Sequence, residues 1–524
     1  MVATLLAAAP GVAGAQSARA PLVATHDGRI AGVREAGLPG SASRVAVFRG
    51  IPFAAPPVGE LRWRPPMPVH PWQGVRKADA FAPSCMQHVI KELLPWTGEF
   101  LATEPVSEDC LYLNVWTPRV SSAARLPVIV YIHGGGFSGG SGAVAIYDGR
   151  NLAATGVVVV TINYRLGVFG FFAYPGLSAE SPHRSSGNYG LLDQIAALRW
   201  VQANIQGFGG DPHRVTIWGQ SAGAFSVEAL LASPLAAGLF QRAQADSGIG
   251  IVPFPMPDLH AAEAAGEKFA ESRHARSLAQ LRSLPADTLL PGPAYSGEPF
   301  FPDVDGWVLP ASPQTLSERG ADNDVPVVTG YEADDGMLFA PHIANAEQYR
   351  TLANEEYGSM AAEFLRLYPA ASADQAQAMV KQSMRDRDRV SMYLWASRRA
   401  ANHKQPIFTY YFDRAIPWPQ HPEFGAFHTG EIPYFFRNLK LLDRPWEPVD
   451  FTLANEVSAY LRDFAARGDP NGSGLPAWPR AERGSPATME LGVRLGTMPL
   501  ADAARLAFWK RFFNSPAGAR APLF

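Results

Sequence analysis

A serine hydroxyl becomes a nucleophile only where the backbone presents it and a base can take its proton. One stretch of this chain offers the presentation. Val215-Thr216-Ile217-Trp218-Gly219-Gln220-Ser221-Ala222-Gly223-Ala224 is an apolar strand-like run, a Gly-x-Ser-x-Gly turn, then helix-forming residues. A tight strand-to-helix turn pushes the serine out of the backbone and draws strand and helix too close for a Cβ at either flank, which accounts for Gly219 and Gly223. The helix opening after Ser221 points its first amides at any anion formed there. The same motif recurs at Gly136-Phe137-Ser138-Gly139-Gly140 with no helix pattern behind it, so Ser138 reads as a loop serine.

The base and its orienting acid are expected downstream, in the order serine, acid, histidine. Gly330-Tyr331-Glu332-Ala333-Asp334-Asp335-Gly336 is dense in carboxylates, and Glu332, Asp334 and Asp335 are all candidates. Beyond it lie His342, His403, His421 and His428. Gly425-Ala426-Phe427-His428 follows a strand-like run and makes His428 the choice, with His421 its rival. His133-Gly134-Gly135-Gly136 follows another such run and reads as an oxyanion loop. Its glycines let the backbone approach a developing oxyanion, and Gly135, Gly136 and Ala222 would supply three amide donors. One such donor is typically worth about 2.7–4 kcal/mol of barrier.

The elements that must hold these residues are legible as uninterrupted apolar runs. These are Val128–Ile132, Val157–Ile162, Val215–Trp218, Val325–Thr329 and Ile407–Phe412. Such runs suit strands buried on both faces. Between them lie helical patterns, Tyr189–Asn204 being the clearest. Alternating strands and helices predict an α/β-hydrolase fold: a mostly parallel central sheet flanked by helices. The stretches 251–320 and 340–405 have helical patches and few strands, and read as helical lid insertions within one catalytic domain spanning 16–524.

Composition narrows the partners. The chain has 524 residues, 47% hydrophobic and 18% charged, with a net charge of -3 and no Lys/Arg run. That excludes an electrostatic nucleic-acid surface, and no apolar stretch reaches membrane-spanning length. Residues 1–15 are small and apolar and end in Ala13-Gly14-Ala15, like a signal-peptide cleavage site, although a basic start is missing. Export to a secreted or periplasmic location is the reading. Cys85 and Cys110, the two cysteines, then form one disulfide; in a reducing compartment they would be buried thiols. Two cysteines so far apart, without histidines at ligand spacing, build no metal site.

Further motifs run the length of the chain. They include Phe48-Arg49-Gly50-Ile51-Pro52-Phe53-Ala54, Pro56-Pro57-Val58-Gly59 and Leu61-Arg62-Trp63. Ser107-Glu108-Asp109-Cys110-Leu111-Tyr112-Leu113-Asn114-Val115, Asn163-Tyr164-Arg165-Leu166-Gly167 and Phe208-Gly209-Gly210-Asp211-Pro212 follow, with Gly468-Asp469-Pro470-Asn471 and Trp478-Pro479 near the end. In this order they resemble the type-B carboxylesterases, the family of bacterial p-nitrobenzyl esterases and cholinesterases. The resemblance implies a cofactor-free serine esterase acting on a small-molecule carboxylic ester through an acyl-enzyme. It implies Ser221 as nucleophile, His428 as base, and as acid Asp335, the residue before Gly336, where the family usually has glutamate. The family's N-terminal loop disulfide falls on Cys85 and Cys110. Gln220 stands where the family often has an acid, and Phe100 is the nearest equivalent of the cholinesterase tryptophan. Both departures point away from choline esters toward neutral or anionic ones. Gln220, Phe100 and Phe301 are candidate substrate contacts; for Phe300, Phe301 and Trp307, acyl-side lining and core packing are equal readings. Two other readings are a narrow esterase for bulky multi-ester toxins such as fumonisins, and a binding protein on this fold that has lost catalysis. The sequence does not give the oligomeric state.

Overall fold

The apolar runs become strands. The computed structural model describes residues 20–37, 44–251, 256–292, 300–338, 340–482 and 484–518, so the leader expected over 1–15 lies outside the described residues. The strands of the main sheet are β1 Val33–Ala36, β2 Arg44–Pro52, β3 Tyr112–Thr117, β4 Leu126–Ile132, β5 Val158–Ile162, β6 Gly210–Gln220, β7 Arg242–Asp246, β8 Val327–Glu332, β9 Ile407–Phe412, β10 Ala487–Leu491 and β11 Leu495–Pro499. They lie in the order β11-β10-β9-β8-β7-β6-β4-β5-β3-β2-β1. From β10 through β5 in that order all neighbours are parallel. The pairings at both edges are antiparallel.

Alternate residues of one strand feed opposite cores, as the pleat requires. Val128, Val130 and Ile132 of β4 join one cluster with Val215 and Ile217, while Ile129 and Tyr131 join Trp218 in the other. Helices α1 Tyr189–Asn204 and α2 Ala222–Ala232 belong to the first cluster. Helix α3, Ala373–Asn402, packs on β8 and β9, and α4, Pro448–Arg467, on β4 and β6. A third cluster joins Tyr349, Phe364, Tyr368 and Tyr393 to Phe508, Trp509 and Phe512. Among the described residues, 251–320 and 340–405 hold helices, such as Leu259–Ser272, Ala346–Tyr357 and α3, and no strand.

Of the strand boundaries that differ from the sequence reading, one bears on the site. The run Val325–Thr329 begins its strand at Val327 and continues to Glu332. Pro326 has no amide for the ladder, and Gly330, Tyr331 and Glu332 stay in register with Tyr410, Tyr411 and Phe412. Glu332 is therefore a strand residue, not a loop residue.

Candidate active site

Parallel register decides which chain segments meet. Ile132 lies opposite Gly219, and Gln220 opposite Asp246, so β4, β6 and β7 end side by side. The residues that follow them, His133, Ser221 and Ser247, stand together at the carboxyl ends of these strands, where sites collect in open α/β folds.

Ser221 has φ 58° and ψ -125°, a strained backbone for a residue with a Cβ. The neighbours enforce it. The Ser221 amide donates to the Asp246 carbonyl at 3.0 Å. A Cβ on Gly219 would come 2.2 Å from the Gly223 carbonyl oxygen, and one on Gly223 would come 2.1 Å from that of Ile132. Ser138 instead sits in an exposed turn with its hydroxyl on the Gly135 carbonyl.

The three carboxylate candidates separate by partner. Asp335, fully buried, accepts a close hydrogen bond from Nδ1 of His428. With Nδ1 turned to the acid, Nε2 is the nitrogen on the far side of the ring. Asp334 faces elsewhere: it accepts from the Ala426 amide at 2.9 Å and pairs with Lys381 at 2.8 Å and Arg385 at 2.7 Å, both on α3. It ties the acid loop to the histidine loop. Glu332 accepts a close bond from the Ser247 hydroxyl. Burial, then Glu431 and Asp335, push its carboxyl well above the ordinary range. Of the other histidines, His421 pairs with Glu423 at the surface, His403 with Asp322, and His342 is exposed.

The His428 ring is held on two further sides. Trp96 donates its indole N–H to the His428 carbonyl at 3.0 Å and stands edge-on at 6.2 Å. The Gln220 amide nitrogen lies 3.1 Å from Nε2 and 3.4 Å from Nδ1. Gln220, next to Ser221, is thus a buried neighbour of the histidine.

The glycine loop lies across the serine turn. Gly135 and Gly136 have φ +107° and +61°, and a Cβ on Gly134 would come 2.7 Å from the Gln220 carbonyl oxygen and 3.0 Å from the Ser221 Cβ. Among the described residues, no acceptor takes the amides of Gly135, Gly136 or Ala222. The loop is clamped from below: Gln87 donates to and accepts from Gly140, both at 2.8 Å, and Gly167 donates to the Phe137 carbonyl at 2.7 Å. His133 is buried, hydrogen-bonded from Nδ1 to the Gly134 carbonyl at 2.8 Å, and stacked on Tyr164. Burial lowers its pKa to about 4, so the ring is neutral. Cys85 and Cys110 form a disulfide, and the Gln87 side chain also donates to the Cys85 carbonyl at 3.0 Å.

The aromatic candidates divide. Phe301 packs edge-on to Phe137 of the glycine loop at 6.2 Å. Phe300 is core, against Phe172 and Phe269, and Trp307 stacks on His183 at 3.8 Å. Phe100 is 8% exposed and packs on Phe427, next to His428. Glu332, Asp335 and His428 each bring a donor atom within 4.8 Å of the others. With Nδ1 engaged by Asp335 and Glu332 favouring its protonated form, that trio suits proton handling rather than a cation. Gln87, Trp96, Ser247 and Glu431 escaped the sequence reading. Glu431 did leave a signal, an acid directly ahead of the apolar run Ile432-Pro433-Tyr434-Phe435-Phe436.

Parallel strands whose following loops carry serine, acid and histidine in that chain order define an α/β-hydrolase. The model of the carboxylesterase family matches residues 19–509, and the chain belongs to that family; it is a carboxylic-ester hydrolase. It is 40% identical to the fumonisin B1 esterase of Sphingopyxis macrogoltabida over 458 residues, 84% of this chain and 82% of that protein. It is 33% identical to the cocaine esterase of Homo sapiens, over 95% of this chain and 92% of that protein. To the liver carboxylesterase of Sus scrofa it is also 33% identical, over 100% and 98%. No helix among the described residues is long and apolar enough to cross a membrane.

Proposed function

We propose that Ser221 attacks the ester carbonyl while His428 accepts its proton at Nε2 and Asp335 holds the ring through Nδ1. The tetrahedral oxyanion is received by the amides of Gly135, Gly136 and Ala222. His428 then protonates the departing alcohol, and water repeats the sequence on the acyl-enzyme. The observation that carries this reading is the His428–Asp335 bond beside a serine held at φ 58°. No cofactor enters the cycle.

The substrate is a neutral or anionic ester rather than a choline ester, since Gln220 adds no charge beside the histidine and Phe100 is packed against Phe427. The 40% identity to a fumonisin B1 esterase favours, as a second reading, a narrow enzyme for bulky multi-ester substrates. The helical stretches 251–320 and 340–405 act as its lid. The Cys85–Cys110 disulfide supports an exported, secreted or periplasmic enzyme.

Hydrolysis of a p-nitrophenyl acyl series, with a serine-directed phosphonate and peptide mapping of the adduct, tests both readings. Label on Ser221 with turnover of short acyl chains is the outcome expected of a broad esterase. Label without turnover selects the narrow reading, and no label overturns Ser221 as nucleophile. Ser221→Ala lowers kcat by roughly a millionfold.

A further inference from the structure

Two acids stand behind the histidine, and the triad uses one of them. Glu332 ends β8, and Asp335 follows three residues later in the turn Asp335–Leu338; both are buried. One oxygen of Glu332, one of Asp335 and one ring nitrogen of His428 all lie within 4.8 Å of one another. Asp335 takes Nδ1 on its Oδ1. Glu332 is occupied instead by the Ser247 hydroxyl, which donates to Oε2, while Oε1 is buried without a donor among the described residues. Ser247 is itself fixed: it follows β7 with φ 53°, and its amide donates to the Gly330 carbonyl at 2.8 Å.

The backbone that carries the two acids does not depend on the Asp335 side chain. Asp334 donates its amide to the Ala426 carbonyl and accepts the Ala426 amide on its carboxylate, both at 2.9 Å. That two-way clamp ties the acid loop to the histidine loop, so both stay in place when the Asp335 carboxyl is removed. A change of rotamer moves a glutamate carboxyl by more than the shortfall between 4.8 Å and a hydrogen bond.

We propose that Glu332 is a second acid for His428, held in reserve by Ser247 while Asp335 occupies Nδ1 and placed to take that nitrogen in its stead. The inference rests on the triad reading above. Glu332 is a positioning residue: it acts on the ring and touches no substrate. Its surroundings suit a reserve. Burial, Glu431 and Asp335 raise its carboxyl, so beside an intact Asp335 it favours the neutral form and does not contend for the ring. Loss of Asp335 removes one of those causes and brings the Glu332 anion nearer. This chain also carries the shorter acid at 335, where the family usually has glutamate, and a glutamate three positions earlier.

The test compares Asp335→Ala with Asp335→Asn on an aryl ester. Asparagine fills the place that Glu332 would enter and permits the wrong ring tautomer, whereas alanine vacates that place. With a reserve acid, D335A keeps a kcat about tenfold or more above that of D335N. The comparison is then repeated in two backgrounds. Glu332→Gln removes the acid, and Glu332→Asp keeps it but shortens its reach; in both, the advantage of alanine over asparagine disappears. A merely structural role of Glu332 would lower both variants alike and leave their ratio unchanged. The reserve is overturned if alanine and asparagine are equally poor in the native background. It is also overturned if the advantage survives both Glu332 substitutions, since water in the vacated place would then be the partner of the ring. Thermal melts of each variant separate a folding loss from a kinetic one, and E332D carries the test where E332Q does not fold. A D335N enzyme with native kcat overturns the triad reading itself; alanine equal to asparagine at low activity overturns only the reserve.

Discussion

Three acids within four positions, Glu332, Asp334 and Asp335, differ in where each side chain goes, and that separates their expected phenotypes. Asp335 engages Nδ1 of His428, so Asp335→Asn leaves the fold intact but permits the wrong tautomer, and kcat falls about 10⁴-fold. Asp334 joins the Ala426 amide to Lys381 and Arg385. Asp334→Asn keeps an acceptor for the amide but leaves two partly exposed cations unpaired, and stability falls by about 1–3 kcal/mol. Steady-state kinetics beside thermal melts of the two variants check the pair of expectations; the reverse pattern would exchange the roles of the two residues. The sequence could not make this separation from residue types alone. Asp334 and Asp335 are adjacent and chemically identical, and what distinguishes them is the isolated pairing of Asp334 with Phe427, a long-range contact.

At the scale of elements, close approach of backbone to backbone holds the site, and glycine is where it can be tested. A Cβ on Gly223 meets the Ile132 carbonyl oxygen, joining α2 to β4, and cannot be absorbed by a side-chain rotation. Gly223→Ala should therefore cost about 3 kcal/mol and reduce the yield of folded protein, read by chemical denaturation. Gly134→Ala pushes only a loop off the turn at Gln220 and Ser221. Its expected effect is a fall in kcat of about 10²–10³ from misplaced oxyanion donors, with little change in melting temperature. The elements carrying these glycines were legible because β4, β5, β6, β8 and β9 are buried on both faces and read as apolar runs. β7 was not legible: Arg242-Ala243-Gln244-Ala245-Asp246 is a central strand with a polar face. Toward the carboxyl end that face is hydrogen-bonded internally, since Trp218 donates to Asp246 at 2.5 Å and Gln244 donates to the same carboxyl at 3.2 Å. A hydrogen-bonded polar interior removes the hydrophobic signal while leaving the strand in the middle of the sheet. Ser247 was missed with it.

For the whole molecule, the disulfide and the buried titratable groups fix the conditions under which this site persists. Closing a loop of 25 residues contributes about 3.5 kcal/mol on the chain-entropy model. Because Gln87 binds both the Cys85 carbonyl and Gly140, reduction should loosen the glycine loop as well as lower the melting temperature. His133, under that loop, sets an acid limit of its own. Unfolded, its ring titrates near 6.5; folded and desolvated, it titrates at about 4. Between those values the unfolded chain binds the extra proton, so stability is full above the upper one and drains away as pH falls to the lower, by about 3 kcal/mol in all. Glu228, raised to about 8, and Asp388, raised to about 7, have the opposite slope, since the folded chain retains protons that the unfolded chain releases. A raw stability curve therefore mixes the two signs. The difference between wild type and His133→Gln removes the carboxyls, which titrate alike in both proteins. Denaturant unfolding should give a wild-type advantage near neutrality that narrows by about 3 kcal/mol toward pH 4; a constant difference would mean that folding leaves the His133 ring as easy to protonate as in the unfolded chain, and that burial does not hold it neutral.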